Sequence, residues 1–311
     1  MPFPEEVWPE FEVVTEGLRF PEGPIAMADG SVLVVEIAGQ ALTRILPDGS
    51  KEVIAELDGG PNGAAIGPDG CCYICNSGGW IYEMKDGLRR PIGQSMRSGW
   101  IEKVDLRSGV ATKLYEGVGG QKLNSPNDIV FDSQGGFWLT DLGKRRVQAR
   151  DVGAVYYAKP DGSHIECAIP NLIEPNGIGL SPDEGAVYVA ETATRRVLAF
   201  DLIAPGKPQF RPWPAPSGGR LVAALGGMNN LDSMAIDGEG HVCVASLGDG
   251  GVWELSPDGA RQVHHRLPDY FTTNICFGGA GLRTAFVTMS TSGRLVKFRW
   301  PRAGRKLNFN A

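Results

Sequence analysis

Histidine is scarce in this chain: four occur in 311 residues, His164, His241, His264 and His265. No GxSxG motif is present, and neither Ser246 nor Ser290 has an evident histidine partner, which argues against a serine-nucleophile hydrolase. The six cysteines supply a single CxxC, Cys72 to Cys75. On a strand those two side chains point to opposite faces, and no second pair completes a zinc site. Free thiols in a reducing cytoplasm are the expectation. Positive charge is in deficit, with a net charge of -6, so a nucleic-acid surface is excluded. The short basic runs Lys144-Arg145-Arg146 and Arg195-Arg196 read as solvated loop charges. No uncharged apolar window approaches membrane-spanning length. The start MPFPEEVWPEF has no basic region followed by an apolar run, so no secretory leader is expected. There is also no glycine-rich dinucleotide or phosphate loop. The sequence sets no oligomeric state.

What is abundant is turn chemistry: Gly 43 and Pro 22, as many short strands joined by tight turns require. Six times an apolar stretch begins at a fixed leading residue and ends at a Gly- or Asp-containing turn. The leaders are Glu22, Asn62, Asn127, Asn176, Asp232 and Thr273. A second apolar run follows each, such as SVLVVEI, GFWLTDL or AVYVAET, and then a further hairpin, often through a PDG turn. Four strands per unit, repeated at roughly 40–50 residues, is the pattern of a β-propeller. The expected fold is therefore all-β, a six-bladed β-propeller with four antiparallel strands per blade in one domain, 1–311. The last unit is one strand short, and the orphan FEVVT at 11–15 is expected to complete it, so that an N-terminal strand closes the ring.

If each leading strand runs down from the top face, the six leaders ring the axis at the top. The second-strand ends Glu36, Asn76, Asp141, Glu191, Ser246 and Ser290 join them on that face, and the PDG turns lie at the bottom. The histidines fall on outer or bottom segments. Unit two carries an insertion, 77–99, that leaves from the top and is expected to overhang the pocket, contributing Trp80, Tyr82 or Met84. Glu22, Asn127, Asn176 and Asp232 offer two carboxylates and two amide oxygens on one axis. Such an all-oxygen set suits one divalent cation, Ca2+ first, with Mn2+, Mg2+, Zn2+ or Fe2+ as alternatives. Asn62 and Thr273 are weaker donors placed beside it as substrate contacts, together with Trp80. Asp128, next to Asn127 on a strand, is expected to point away from the axis. Ligands of this type need little deprotonation above pH ~5 by their reference values. The mouth is expected to be narrow and rimmed by polar groups, fitting a compact hydroxylated ring.

The segments FPEGP around Glu22, NSPNDIVFD around Asn127, EPNGIGLSPD around Asn176 and LDSMAID around Asp232 resemble the SMP-30/gluconolactonase/luciferin-regenerating-enzyme family. The similarity runs from about Leu18 to Trp300, in four ordered motifs. The resemblance implies a six-bladed propeller with one catalytic divalent metal at the top of its tunnel. By that resemblance Glu22, Asn176 and Asp232 are metal ligands, Asn127 is a fourth ligand or substrate contact, and Asp232 is the catalytic base. It implies hydrolysis of sugar lactones and related esters; the similar diisopropylfluorophosphatases cleave phosphofluoridates at the same constellation. Ser125-Pro126 stands where some sugar-lactone members carry an arginine before the Asn127 motif. Two other readings stay open: an esterase or phosphotriesterase on the same site, and a non-catalytic binding scaffold.

Overall fold

A computed structural model describes residues 4–310. The six repeats form six blade sheets. Blade one comprises Pro21–Ala26, Val32–Glu36, Ala41–Ile45 and Lys51–Glu56, each strand antiparallel to the next. The leading strands of the other five blades are Pro61–Ile66, Pro126–Phe131, Pro175–Leu180, Asn230–Ile236 and Thr272–Gly278. Each leading strand packs against the next, and the sixth returns to the first, which makes the ring. Burial grades outward accordingly. Pro126–Phe131 is buried at every position, because strands at the axis are covered on both faces, whereas the outer strand Lys51–Glu56 is largely exposed.

The six apolar clusters are the six seams between blades. Tyr73, Ile101, Phe131 and Phe137 join blades two and three, and Val252, Ile275, Val287 and Trp300 join blades five and six. Cys72 faces the seam with blade one and Cys75 the seam with blade three, as strand alternation requires. All six cysteines are free, and Cys167 is exposed. The one helical segment among the described residues is the 3-10 turn Ala280–Leu282.

Closure follows the expectation: Glu12–Thr15 pairs antiparallel with Arg294–Arg299 as the outer strand of blade six. Two features depart from the simple repeat. Glu5–Val7 adds a fifth, parallel strand to blade five, along Gln262–His265. In blade four the outer position is shared by Lys207–Gln209 and Arg220–Ala224, each pairing with a different half of Arg196–Ala204. Below the ring the C-terminal segment folds under the tunnel. Asn308 donates to Phe131 O at 3.1 Å, and Phe309 meets Phe131 edge-on at 5.8 Å.

Candidate active site

The leading strands are not regular at the axis. In every blade the pairing register slips just where the leader sits: between Glu22 and Ile25, Pro61 and Ala64, Pro126 and Ile129, Pro175 and Ile178, Leu231 and Met234, and Thr272 and Asn274. Two residues then oppose one, a β-bulge, which re-aims side chains that alternation would send elsewhere. The glycines after three of the leaders serve this close packing. A Cβ on Gly63 would lie 2.4 Å from Asn127 O, and one on Gly177 2.6 Å from Asp232 O. These Asn-Gly pairs are therefore contacts between neighbouring strands, not turns.

All six leaders line one cavity of ≈ 450 Å³ at the top of the tunnel. Glu22 is buried, and its Oε2 accepts from Gly23 N at 2.5 Å and from Asn274 Nδ2 at 2.6 Å. Asn176 Nδ2 donates to Thr192 Oγ1 at 3.1 Å. The Thr273 hydroxyl is engaged below the surface with Ser290 Oγ at 2.6 Å and Thr288 Oγ1 at 2.9 Å. Asn127 Oδ1 is buried without any hydrogen-bond partner. No histidine lines the cavity.

The bulges overturn the expectation for Asp128. It is buried and sits under the ring, accepting from Ile129 N at 3.0 Å and from Ile178 N of the next blade at 3.3 Å. Burial pushes its carboxyl up to about 7 against those hydrogen bonds. Asn274 is turned inward in the same way. Sequence reasoning missed both, since a bulge leaves no mark in the residue pattern.

The carboxyls of the ring are strongly perturbed. Burial, then repulsion from Asp232, raises Glu22 well above the usual carboxylate range. Burial raises Asp232 to about 8, with the Asn176 amide opposing and Asp128 reinforcing. This corrects the expectation of ligands indifferent to pH above ~5. No Lys, Arg or His is among the groups acting on either carboxyl. Two buried acids without a basic partner, beside an orphaned amide oxygen, form a set that a cation completes. Among the described residues no three His, Cys, Asp or Glu side chains cluster as a metal site; half of the donors in this set are amides.

The second-strand ends serve the scaffold. Glu36 accepts from Arg19 N at 2.6 Å, Asp141 from Asn124 N at 2.7 Å, and Glu191 from Ile173 N at 2.8 Å, so each fixes the chain entering its own blade. The insertion is a hairpin, Trp80–Lys85 with Leu88–Gln94, that covers the cavity. Trp80 lines it as expected. Tyr82 instead packs on Phe20, ring centroids 5.0 Å apart, and Met84 is 61% exposed and outside the cavity. The returning strand contributes Pro91, Ile92 and Gln94, which the sequence reading did not select. The hairpin is tied down at both sides: Arg89 N donates to Thr291 O at 3.1 Å, and Arg145 N to Gln94 Oε1 at 2.8 Å.

The basic run 144–146 is not merely solvated. Lys144 is buried, donates to Ser77 O at 2.8 Å, and is lowered to about 8 by burial. Arg145 lines the cavity and pairs with Glu174. Likewise Arg196 pairs with Glu191 at 2.6 Å. Nor is the mouth polar throughout. Above the ring, Phe20, Trp80, Ile92, Leu142, Leu247 and Phe271 form its wall.

The model of the SMP-30/Gluconolactonase/LRE-like region matches residues 20–291. Lactonase drp35 of Staphylococcus saprophyticus is 29% identical over 254 residues, 81% of this chain and 71% of that protein. Diisopropyl-fluorophosphatase of Loligo vulgaris is 27% identical over 320 residues, 96% of this chain and 94% of that protein. In fold, the crystal structure of regucalcin, a calcium-binding protein from Agrobacterium tumefaciens, superposes with a TM-score of 0.77 at 20% identity, covering 99% of this chain and 100% of that one.

Proposed function

The chain belongs to the SMP-30/gluconolactonase/LRE-like family, and from that premise we propose that it is a divalent-cation-dependent hydrolase that opens a lactone at the tunnel mouth. One observation carries the reading: buried Glu22 and Asp232 and the unpartnered Asn127 Oδ1 share one cavity with no basic side chain acting on either acid. Glu22, Asn176 and Asp232, with Asn127, would hold the cation. Ca2+ suits these hard oxygens best, and Mn2+, Mg2+, Zn2+ or Fe2+ are the alternatives. Bound there, a divalent cation supplies Lewis-acid polarisation of the ester carbonyl and stabilises the developing oxyanion.

The chain's own residues do the rest. Asn274 and Gly23 both bond Glu22 Oε2, which fixes the carboxylate and leaves Oε1 free of those bonds. Asp232 is the base that takes the proton of the attacking water. Asn62 and Trp80 contact the substrate from floor and roof, while Thr273, its hydroxyl already bonded, shapes the floor. The whole chain acts as one domain, and its free cysteines fit a reducing cytoplasm. A second reading, attack at phosphorus on this site, is favoured by the near full-length similarity to diisopropyl-fluorophosphatase.

The test strips the protein with chelator and follows lactone opening with a pH indicator. Activity should vanish and return with Ca2+, and Glu22→Gln and Asp232→Asn should each abolish it while the protein still folds. Chelator-resistant turnover, or near-normal activity in either variant, overturns the proposal. Lactones should exceed a phosphotriester and an aryl ester in kcat/KM by at least roughly tenfold, about 1.4 kcal/mol; the reverse order assigns the site to phosphorus or open-chain esters.

A further inference from the structure

We propose that the lactone carries an apolar substituent, an alkyl, acyl or aryl group, and is not a polyhydroxylated sugar lactone. This rests on the lactone-hydrolase reading and names its substrate class. The cavity has two tiers. Its floor is the ring of carboxyl and amide groups, suited to the ester itself. Its wall is Phe20, Trp80, Ile92, Leu142, Leu247 and Phe271.

Three of the four polar side chains of the wall are engaged within the protein, the exposed Asn230 amide being the fourth. Gln94 accepts from Arg145 N at 2.8 Å and donates to Gly143 O at 3.5 Å. Thr192 Oγ1 accepts from Asn176 Nδ2 at 3.1 Å. The Arg145 guanidinium is engaged with Glu174, with Nη2 at 2.5 Å from Oε2. A sugar lactone would bring a hydroxyl on nearly every carbon, and each loses its water on entering such a wall. Unpaired, each hydroxyl counts against binding. An apolar substituent has no such need and gains from leaving water.

Size points the same way. At ≈ 450 Å³ the cavity equals about fifteen waters at ~30 Å³ each, far more than one lactone ring requires. The surplus lies against the apolar wall and under the hairpin. Ile92, 60% exposed, lies where a substituent would leave towards solvent.

The experiment compares kcat/KM for an unsubstituted δ-lactone, the same ring with n-alkyl tails of increasing length, and a polyhydroxylated δ-lactone, all with Ca2+ present. Each of the first few methylenes should raise kcat/KM by about fourfold, the value of one buried CH2, and the polyhydroxylated ring should be poorer than the plain one. Ile92→Ser should shrink the increment per methylene, whereas Met84→Ser, outside the cavity, should leave it unchanged. No dependence on tail length, or preference for the polyhydroxylated ring, overturns the inference. Calorimetry with the matching lactams separates the two failures. If no lactone turns over but lactam affinity still climbs with tail length, the reaction is wrong and the apolar pocket stands. If lactam affinity is flat, the pocket assignment falls.

Discussion

Loading the stripped protein with Ca2+ should expel protons, because the acids of the ring are raised by burial. With Asp232 at about 8, roughly nine in ten of these side chains are protonated at pH 7. Glu22 is raised well above its ordinary value by burial and by Asp232, and adds up to one more proton. Binding at pH 7 should thus release about one to two protons per cation. The sign is fixed by the direction of the shifts. An acid whose value is raised resists ionisation, so cation affinity grows with pH until that value is passed and then levels. Counting Asp232 alone, the apparent Kd should weaken by about fiftyfold between pH 8 and pH 6. Titration calorimetry in two buffers of different ionisation enthalpy reads the proton count directly, and Asp232→Asn should reduce it by about one. Binding at the ring with no proton released, and a Kd flat from pH 6 to 8, would refute the electrostatic account of the site.

Replacing 77–97 by a Gly-Ser link should change KM or substrate preference more than melting temperature, because the hairpin covers the cavity but contributes nothing to the seams; unchanged kinetics across several lactones would give it a purely structural role. At the far side of blade five, burial of Glu254 is outweighed by the hydrogen bond with His265 and by the Arg302 guanidinium 2.6 Å away, which hold it at about 2 instead of 4.5. That lowered value contributes about 3 kcal/mol of stability above pH ~4.5, lost as the pH falls towards 2, and readable in urea unfolding across that window. Arg302→Ala would leave Asp237 and Glu254 buried without their arginine, and should cost about 3–5 kcal/mol; a loss under 1 kcal/mol contradicts the pairing.

The blades, their closure and the ring of leaders were legible because each leaves a periodic trace: alternating apolar runs, turn residues at fixed offsets, and one slot that keeps oxygen donors in register. What the bulges do was not legible. The pattern PNDIVF gives no sign that Asp128 turns under the ring, since the slip lies in the backbone pairing. The insertion was visible as extra residues, but its roof was only half read. Trp80 was found, while the returning strand LRRPIGQ, which supplies Pro91 and Ile92, carries no repeat pattern that would single those residues out. Lys144 and Arg145 were invisible for another reason: their partners, Ser77 O and Glu174, are distant in sequence. The carboxyl perturbations belong to the same class, because reference values hold for solvated acids and these are not solvated.

The seam between blades six and one has a second meaning. The chain leaves Glu12–Thr15 at the rim of the last blade and reaches Glu22 at the axis of the first. Along that path Leu18 N donates to Gly293 O at 2.9 Å, Ser290 Oγ to Pro21 O at 2.5 Å, and Asn274 Nδ2 to Glu22 Oε2 at 2.6 Å. The latch of the ring is thus continuous with one wall of the site. Unzipping the N-terminal strand and displacing Glu22 are successive movements of one segment, so any ligand that grips Glu22 also opposes unzipping. Protease cleavage between Glu12 and Phe20 should slow as the site fills, making this short stretch of chain a reporter of what Glu22 holds.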